Sequence, residues 1–322
     1  MNKINVSAPG KLMLMGEHAV VYNHPCIVTT VDQRIYLGAE LLVSLEFQLD
    51  AEDVGVIGYK KSISDLGKGK IPKGAKFVEI AVKNVYKEYS LKSGLKISTK
   101  SDFSSSFGFG SSSASTVCVI KTISELFGLK LSEKDIFDIS YKTVLEIQGK
   151  GSGFDIAASV YGGTLYFRTG GKVIEKLEVS SLPLIVGYSG VKADTVTLIE
   201  KVRKSFEGKQ DYLDRVYTEI DKLVEKGKKT LVNTDWEDFG ILMNKNQELL
   251  NELGVSIEKL DNMIDASINA GAFGAKLSGA GGGDCMIALS DQKKIENIKK
   301  AIVDVGGEII DIKTGAEGVR ID

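Results

Sequence analysis

Apolar residues along this chain recur with two different periods, and the changes between them mark out its elements. Ile4–Ala8, Leu12–Met15, Ile27–Val31 and Ile35–Leu42 are short β-branched-rich runs punctuated by Pro9-Gly10, Gly16-Glu17 and polar turns, which predicts strands. Phe77, Ile80, Ala81, Val85 and Tyr86 repeat at helical spacing and predict a helix over 77–89, while Leu95–Thr99 alternates as a strand. Ala114–Phe127 is apolar around most of its circumference (Val117, Val119, Ile120, Ile123, Leu126), as a buried helix requires. Ser132 with Asp135 three residues on resembles a capping box, Asp replacing the usual Glu, and opens a helix to about Glu146. Glycines over 149–153 break that period. A short helix 155–160 ends at Gly162-Gly163, and Thr164–Arg168 and Val173–Leu177 read as paired strands around Gly170-Gly171.

The second half has a different texture. Leu184–Gly187 is an apolar strand, and from Thr195 a long helical stretch dense in Lys and Glu follows, its charge runs over 201–229 reading as solvated helix faces. Helices 235–253 and 256–270 come next. Strands Gly274–Leu277 and Cys285–Ser290 then flank a glycine loop, before a helix from Asp291 and a strand Ile309–Lys313. Helices and strands interleave without a regular βαβ beat, so the fold class is α+β. A chain of 322 residues is long enough for two domains, and the change of character predicts a boundary near 165–185, giving domains 1–175 and 176–322.

Charge and cysteine content narrow the function classes. The net charge is −2 with both signs interspersed, so nothing offers the basic stripe that a nucleic-acid binder needs to displace counterions. Three scattered cysteines, Cys26, Cys118 and Cys285, have no CxxC spacing and read as free thiols in a reducing compartment. No signal-peptide-like run and no 18-residue apolar segment occurs, so the expectation is a cytoplasmic protein with no membrane partner.

Glycine-rich segments carry the candidate chemistry. Gly108-Phe109-Gly110-Ser111-Ser112-Ser113-Ala114 follows a strand and opens a helix. Glycines let the backbone approach a ligand, and the free N–H groups of a helix N-terminus satisfy phosphate. The serine hydroxyls add hydrogen bonds, and one could complete a Mg²⁺ shell. By itself the loop leaves two readings open, a phosphate cradle or a serine-rich helix cap. The Walker pattern GxxxxGK[ST] is absent, and a dinucleotide fingerprint fails for want of its third glycine. Lys276-Leu277-Ser278-Gly279-Ala280-Gly281-Gly282-Gly283-Asp284-Cys285 sits between two strands. It carries more glycine than a hairpin needs, which favours close approach to a phosphate or another loop. Near the N-terminus, Lys11, Glu17 and His18 lie beside tight turns. In Gly149-Lys150-Gly151-Ser152-Gly153-Phe154-Asp155 an acid opens a helix, where it can cap or can take the proton of a substrate hydroxyl.

Taken together, these four segments resemble those of the GHMP kinases, in the same order and at similar separations over nearly the whole chain. SAPGKLMLMGEHAVVYNHP is similar to the N-terminal motif of the mevalonate kinases within that family, GFGSSSAS to its phosphate loop and AKLSGAGGGDC to its third motif. The resemblance implies an N-terminal domain like ribosomal protein S5 domain 2, a ferredoxin-like C-terminal domain and an active site in the cleft between them. It implies ATP and Mg²⁺, with mevalonate as the small-molecule acceptor, and it leaves a homodimer open. Carried over by position, Asp155 would orient or deprotonate the substrate hydroxyl and Lys11 would stabilise it and the developing alkoxide. Gly108, Gly110, Ser111, Ser112, Ser113 and Ala114 would hold the phosphates. Ser112 would bind Mg²⁺ with Glu146 as second ligand, and Glu17, His18, Ser152, Gly279, Ala280 and Gly281 would face substrate.

Some positions depart from that pattern. Ser104 replaces a common proline, Ser113 replaces a usual alanine, and Val144 stands where many mevalonate kinases have the second metal-binding Glu, leaving Glu146 two residues out of register. GSGFDIAASVYGG and SGAGGGDC, with Asp284 after the glycines, resemble the bacterial phosphomevalonate kinases, and Lys150, Lys192 and Lys276 could serve a phosphorylated acceptor. Phosphomevalonate phosphorylation, or a non-catalytic ATP-binding sensor, are the alternatives to mevalonate phosphorylation.

Overall fold

The computed structural model describes residues 3–179 and 181–322. β1 (Ile4–Met15), β2 (Pro25–Leu42), β3 (Glu46–Ala51), β4 (Val56–Ser62), β5 (Gly94–Ser101), β6 (Thr164–Arg168) and β7 (Val173–Leu177) belong to one sheet. Its main path runs β1-β2-β5-β3-β4, with β6 beside the start of β2 and β7 beside β6. All pairings are antiparallel except β3 with β5. Helices α1 (Lys76–Glu88), α2 (Ser111–Phe127), α3 (Glu133–Gln148) and α4 (Phe154–Tyr161) pack together, with α2 and α4 lying against β1 and β2. Val117, Cys118, Val119 and Ile120 of α2 are fully buried, as a helix apolar on all sides must be.

The second domain carries β8 (Leu184–Tyr188), then α5 (Thr195–Ser205), α6 (Gln210–Val232), α7 (Trp236–Glu252) and α8 (Glu258–Asn269). The hairpin β9 (Gly274–Ser278) and β10 (Cys285–Leu289), helix α9 (Ile295–Asp304) and β11 (Glu308–Ile310) follow. The strand order β11-β8-β10-β9 is the antiparallel split arrangement of a ferredoxin-like domain, so the chain has the expected two-domain α+β fold. The open edge of β9 is covered. Asn244 and Gln247, three residues apart on α7, accept from the N–H groups of Ala275 and Leu277, and Ser278 Oγ donates to and accepts from the Met13 backbone at 3.0 Å.

Several expected boundaries moved, for identifiable reasons. The strands expected either side of Pro9-Gly10 are one strand with a register shift between Pro9 and Lys11, so the pair makes a bulge and not a turn. Those expected at 27–31 and 35–42 are also one strand, β2. Polar Asp32 and Gln33 between them meet the returning C-terminal tail: Asp32 N–H donates to the Lys313 carbonyl, Lys313 N–H to Asp32 Oδ1, and Gln33 to the Asp311 carbonyl. That engagement is also why the last expected strand stops at Ile310. The tail ends in β12 (Arg320–Ile321), paired with β1, so it lies on the first sheet. Buried Arg34 fixes it there, donating to Ser7 Oγ and to the carbonyls of Ser7, Glu317 and Gly318. No helix of the described residues is long and apolar enough to cross a membrane.

Candidate active site

Two helix N-termini open onto one cleft of about 270 Å³ between the domains. α3 is capped by Ser132 and Asp135 in a reciprocal box, and α5 and α7 by Asp194 and Asp235. α1, α2, α4, α6, α8 and α9 have no side-chain cap among the described residues, and of these α2 and α4 start at Gly110 and Gly153, which line the cleft. Both glycines have left-handed φ, 79° and 92°. Gly110, Ser111 and Ser112 of one helix start and Gly153, Phe154 and Asp155 of the other line the cleft, so the positive dipole ends of both helices meet there, where an anion is the natural partner.

Lys11 links the first motif to the phosphate loop. The β1 bulge presents it, its N–H donates to the Phe109 carbonyl at 3.0 Å, and its Nζ donates to the Gly108 carbonyl at 2.6 Å and lies 5.3 Å from the Phe154 ring centroid. Burial lowers its pKa below the ordinary lysine value, against the opposing pull of Asp155, Asp284, Cys285 and Glu17. Gly110 packs on it: a Cβ there would sit 3.2 Å from Lys11 Cε and 3.6 Å from Asp155 Cβ. Asp155, on the first turn of α4, accepts from Ser113 Oγ at 2.5 Å and from the Ile156 N–H at 3.0 Å.

The opposite wall carries Glu17 and His18, both buried. His18 has φ 59°, an uncommon conformation for a non-glycine residue of the kind that clusters at functional sites. Its Nε2 lies 2.8 Å from the Ala280 carbonyl, so Nε2 carries the hydrogen. Burial lowers its pKa, which keeps the ring neutral and leaves Nδ1 a bare acceptor with no partner among the described residues. Glu17 Oε1 is bound by Lys276, and Oε2 likewise has no partner. Burial raises the Glu17 pKa, while Lys276 and the backbone N–H groups of Glu17 and Gly279 oppose that rise.

Of the residues expected here, Lys11, Glu17, His18, Gly108, Gly110, Ser111, Ser112, Ser152, Asp155, Gly279 and Ala280 line the cleft. Four do not. Ser113 and Ala114 are turned into the protein, at 2% and 0% exposure, and their N–H groups close the first turn onto the Gly110 carbonyl. Gly281 backs onto the Val255 carbonyl, within 2.2 Å of where its Cβ would be. Glu146 corrects the metal expectation: its carboxylate binds Lys83 and Asn84 of α1, while Val144 and Gln148, one turn apart on α3, face the cleft. Glu146 lies about 200° around the helix from Val144.

Sequence reasoning missed an apolar wall of Val20, Val21, Val144, Val196 and Ile199. Val20 and Val21 were within reach, inside the GEHAVV motif. Val196 and Ile199 on α5 sit in a helix whose polar pattern gives no sign of a cleft. Asp284, read only for subfamily, also lines the cleft: it has φ 56°, accepts the Ala193 N–H at 2.9 Å and abuts Gly108. Burial raises its pKa.

Comparison with known proteins gives the family. Residues 76–163 match the GHMP kinases N terminal domain and residues 228–307 the GHMP kinases C terminal domain. A mevalonate kinase of Thermococcus sibiricus is 36% identical over 99% of this chain and 98% of its own, and one of Pyrococcus furiosus is 37% identical over the same shares. The crystal structure of the Methanococcus jannaschii mevalonate kinase superposes with TM-score 0.83 at 28% identity, covering 100% of this chain and 99% of that one. With both family domains matched and relatives above 30% identity over their full length, the chain belongs to the GHMP kinase family.

Proposed function

We infer that this chain is an ATP-dependent kinase that phosphorylates the primary hydroxyl of (R)-mevalonate to 5-phosphomevalonate, a step toward isoprenoids. The observation that carries the reading is one cleft uniting two uncapped helix N-termini with an inner wall of two unpartnered acceptors, Glu17 Oε2 and His18 Nδ1. The first feature suits the phosphates of ATP. The second suits an acceptor rich in hydroxyl donors, and the full-length relatives are mevalonate kinases. The buried free cysteines fit the reducing interior of a cell.

On this reading the phosphates lie on the Gly108–Ser112 loop, against the N–H groups that open α2. Asp155 accepts the proton of the acceptor hydroxyl as its oxygen attacks the γ-phosphorus, and the bond to the bridging oxygen breaks with its electron pair leaving on ADP. Lys11 offsets the negative charge of the attacking oxygen and the transferring group. Mg²⁺ fits the donor set, because Ser112 and Asp284 offer a hydroxyl and one carboxylate at the cleft and Mg²⁺ takes one or two carboxylates and shares the phosphates. Ser112 would hold it with Asp284, the cleft acid this scheme leaves free, and when bound the ion neutralises phosphate charge.

An ADP-release assay over mevalonate, phosphomevalonate, homoserine and galactose tests the assignment. Turnover is expected with mevalonate, and turnover with phosphomevalonate alone would replace it by the second kinase reading. Asp155→Asn should lower kcat by about 100- to 10,000-fold while leaving ATP affinity within a few fold. Wild-type protein that binds ATP yet turns over none of the four alcohols would indicate a sensor.

A further inference from the structure

Behind the acceptor wall lies a buried ion pair that this scheme leaves unused. Lys276, on β9 of the second domain, has a side chain with no exposure, and its Nζ donates to Glu17 Oε1 and, at 2.5 Å, to the Leu277 carbonyl. Glu17 follows the last residues of β1 in the first domain, and its side chain is equally enclosed. Stability alone does not call for such a pair, since well-packed apolar residues of the same volume serve as well or better. The pair leaves Glu17 with one oxygen bound and the other, Oε2, without a partner in a residue that lines the cleft.

The surroundings hold the Glu17 backbone without help from Lys276. Met13 is bound in both directions by Ser278, and the Gly16 N–H donates to Asn246 Oδ1 of α7 at 3.2 Å. What Lys276 adds is control of the carboxylate itself: which oxygen is occupied, and a cation that opposes the rise burial imposes on its pKa. The other groups facing Glu17 are the Gly279 backbone N–H, Lys11 from β1 and the Cys26 thiol from β2, whose pKa burial pushes up, with the neutral His18 next in the chain. Among the described residues Lys276 alone makes an ion pair with it.

We propose that Lys276 is a positioning residue that, across the domain seam, holds Glu17 with Oε2 free to accept a hydrogen bond from a hydroxyl of the acceptor. It thereby sets acceptor affinity and selects a hydroxyl-bearing over an anionic group at that wall. The inference rests on the acceptor reading of the cleft given above.

The test compares Lys276→Met, Lys276→Arg, Glu17→Gln and the double variant Lys276→Met/Glu17→Gln with wild type. In Lys276→Met the KM for mevalonate should rise about tenfold or more, with kcat and the KM for ATP within about threefold. The acid limb of kcat/KM for mevalonate should move to higher pH, because Glu17 has lost the cation opposing its burial. Lys276→Arg should recover part of the loss. The double variant should match Glu17→Gln, since Lys276 acts only through that carboxylate. A folded Lys276→Met with unchanged KM and pH profile, whatever its melting temperature, overturns the proposal. If Lys276→Met does not fold, the double variant, which buries no charge, decides: a KM well above that of Glu17→Gln overturns it. Should wild type turn over none of the four alcohols, the acceptor reading fails separately. The ¹³C carboxyl titration of Glu17, assigned with Glu17→Gln, then reads the positioning directly: its midpoint should rise in Lys276→Met or shift in Lys276→Arg, and an unchanged midpoint overturns the proposal.

Discussion

Ser113 stands where the phosphate loops of this family ordinarily carry alanine, and its hydroxyl donates to Asp155 Oδ2 at 2.5 Å. A side chain expected on ATP instead fixes the acid on the neighbouring helix. A hydrogen bond to a charged group is worth about 1.5–3 kcal/mol, so Ser113→Ala should lower kcat by about tenfold or more with the KM for ATP little changed. Steady-state kinetics decide, and an unaltered kcat would reduce Ser113 to packing. The motif revealed that a serine was present, but its partner lies 42 residues away. Glu146 shows the same limit from the other side. Proximity in sequence favoured it as a metal ligand, while helical periodicity turns Val144 and Gln148 to the cleft and Glu146 to Lys83 and Asn84.

Among the elements, the clearest contrast is between helices that cap themselves and helices that do not. The Ser132–Asp135 box was legible because capping is a matter of four consecutive residues, and it formed as expected. The uncapped starts of α2 and α4 were legible only as glycines. That they open on the same cleft depends on how the two helices pack on β1 and β2. Gly110 joins both aspects, since its φ of 79° disfavours any side chain and the space beside it is filled by Lys11. Gly110→Ala should therefore cost about 1–2 kcal/mol of stability and also raise the KM for ATP by displacing Lys11 or the loop. Denaturant unfolding alongside ATP titration checks both halves, and a stability loss with normal ATP binding would confine the glycine to a backbone role.

Across the whole molecule, the two domains are joined by buried polar contacts as well as by a continuous apolar core: Ser278 with Met13, Asn246 with Gly16, Lys276 with Glu17. The C-terminal tail crosses back to the first sheet and is held by Arg34. Arg34→Met would strand the Ser7, Glu317 and Gly318 carbonyls, at a cost on the order of 1–3 kcal/mol for each that stays buried. Chemical denaturation should show that loss and limited proteolysis should release the tail, while the KM for mevalonate stays near wild type because Arg34 does not line the cleft. A resistant tail at unchanged stability would mean that β12 pairing alone secures it.

The helices, most strands, the capping box and the order of the glycine motifs were determined by the sequence itself, because each depends on residues a few positions apart whose period or turn chemistry is local. The motif set was also sufficient to identify the family. Tertiary structure alone decided that 4–15 and 25–42 are unbroken strands and that the tail returns to the first sheet. It also decided that Lys276 meets Glu17 across 259 residues of chain. Those outcomes turn on which polar groups find partners once distant segments are folded against each other, and that folding brings together residues whose separation in sequence carries no trace of the contact.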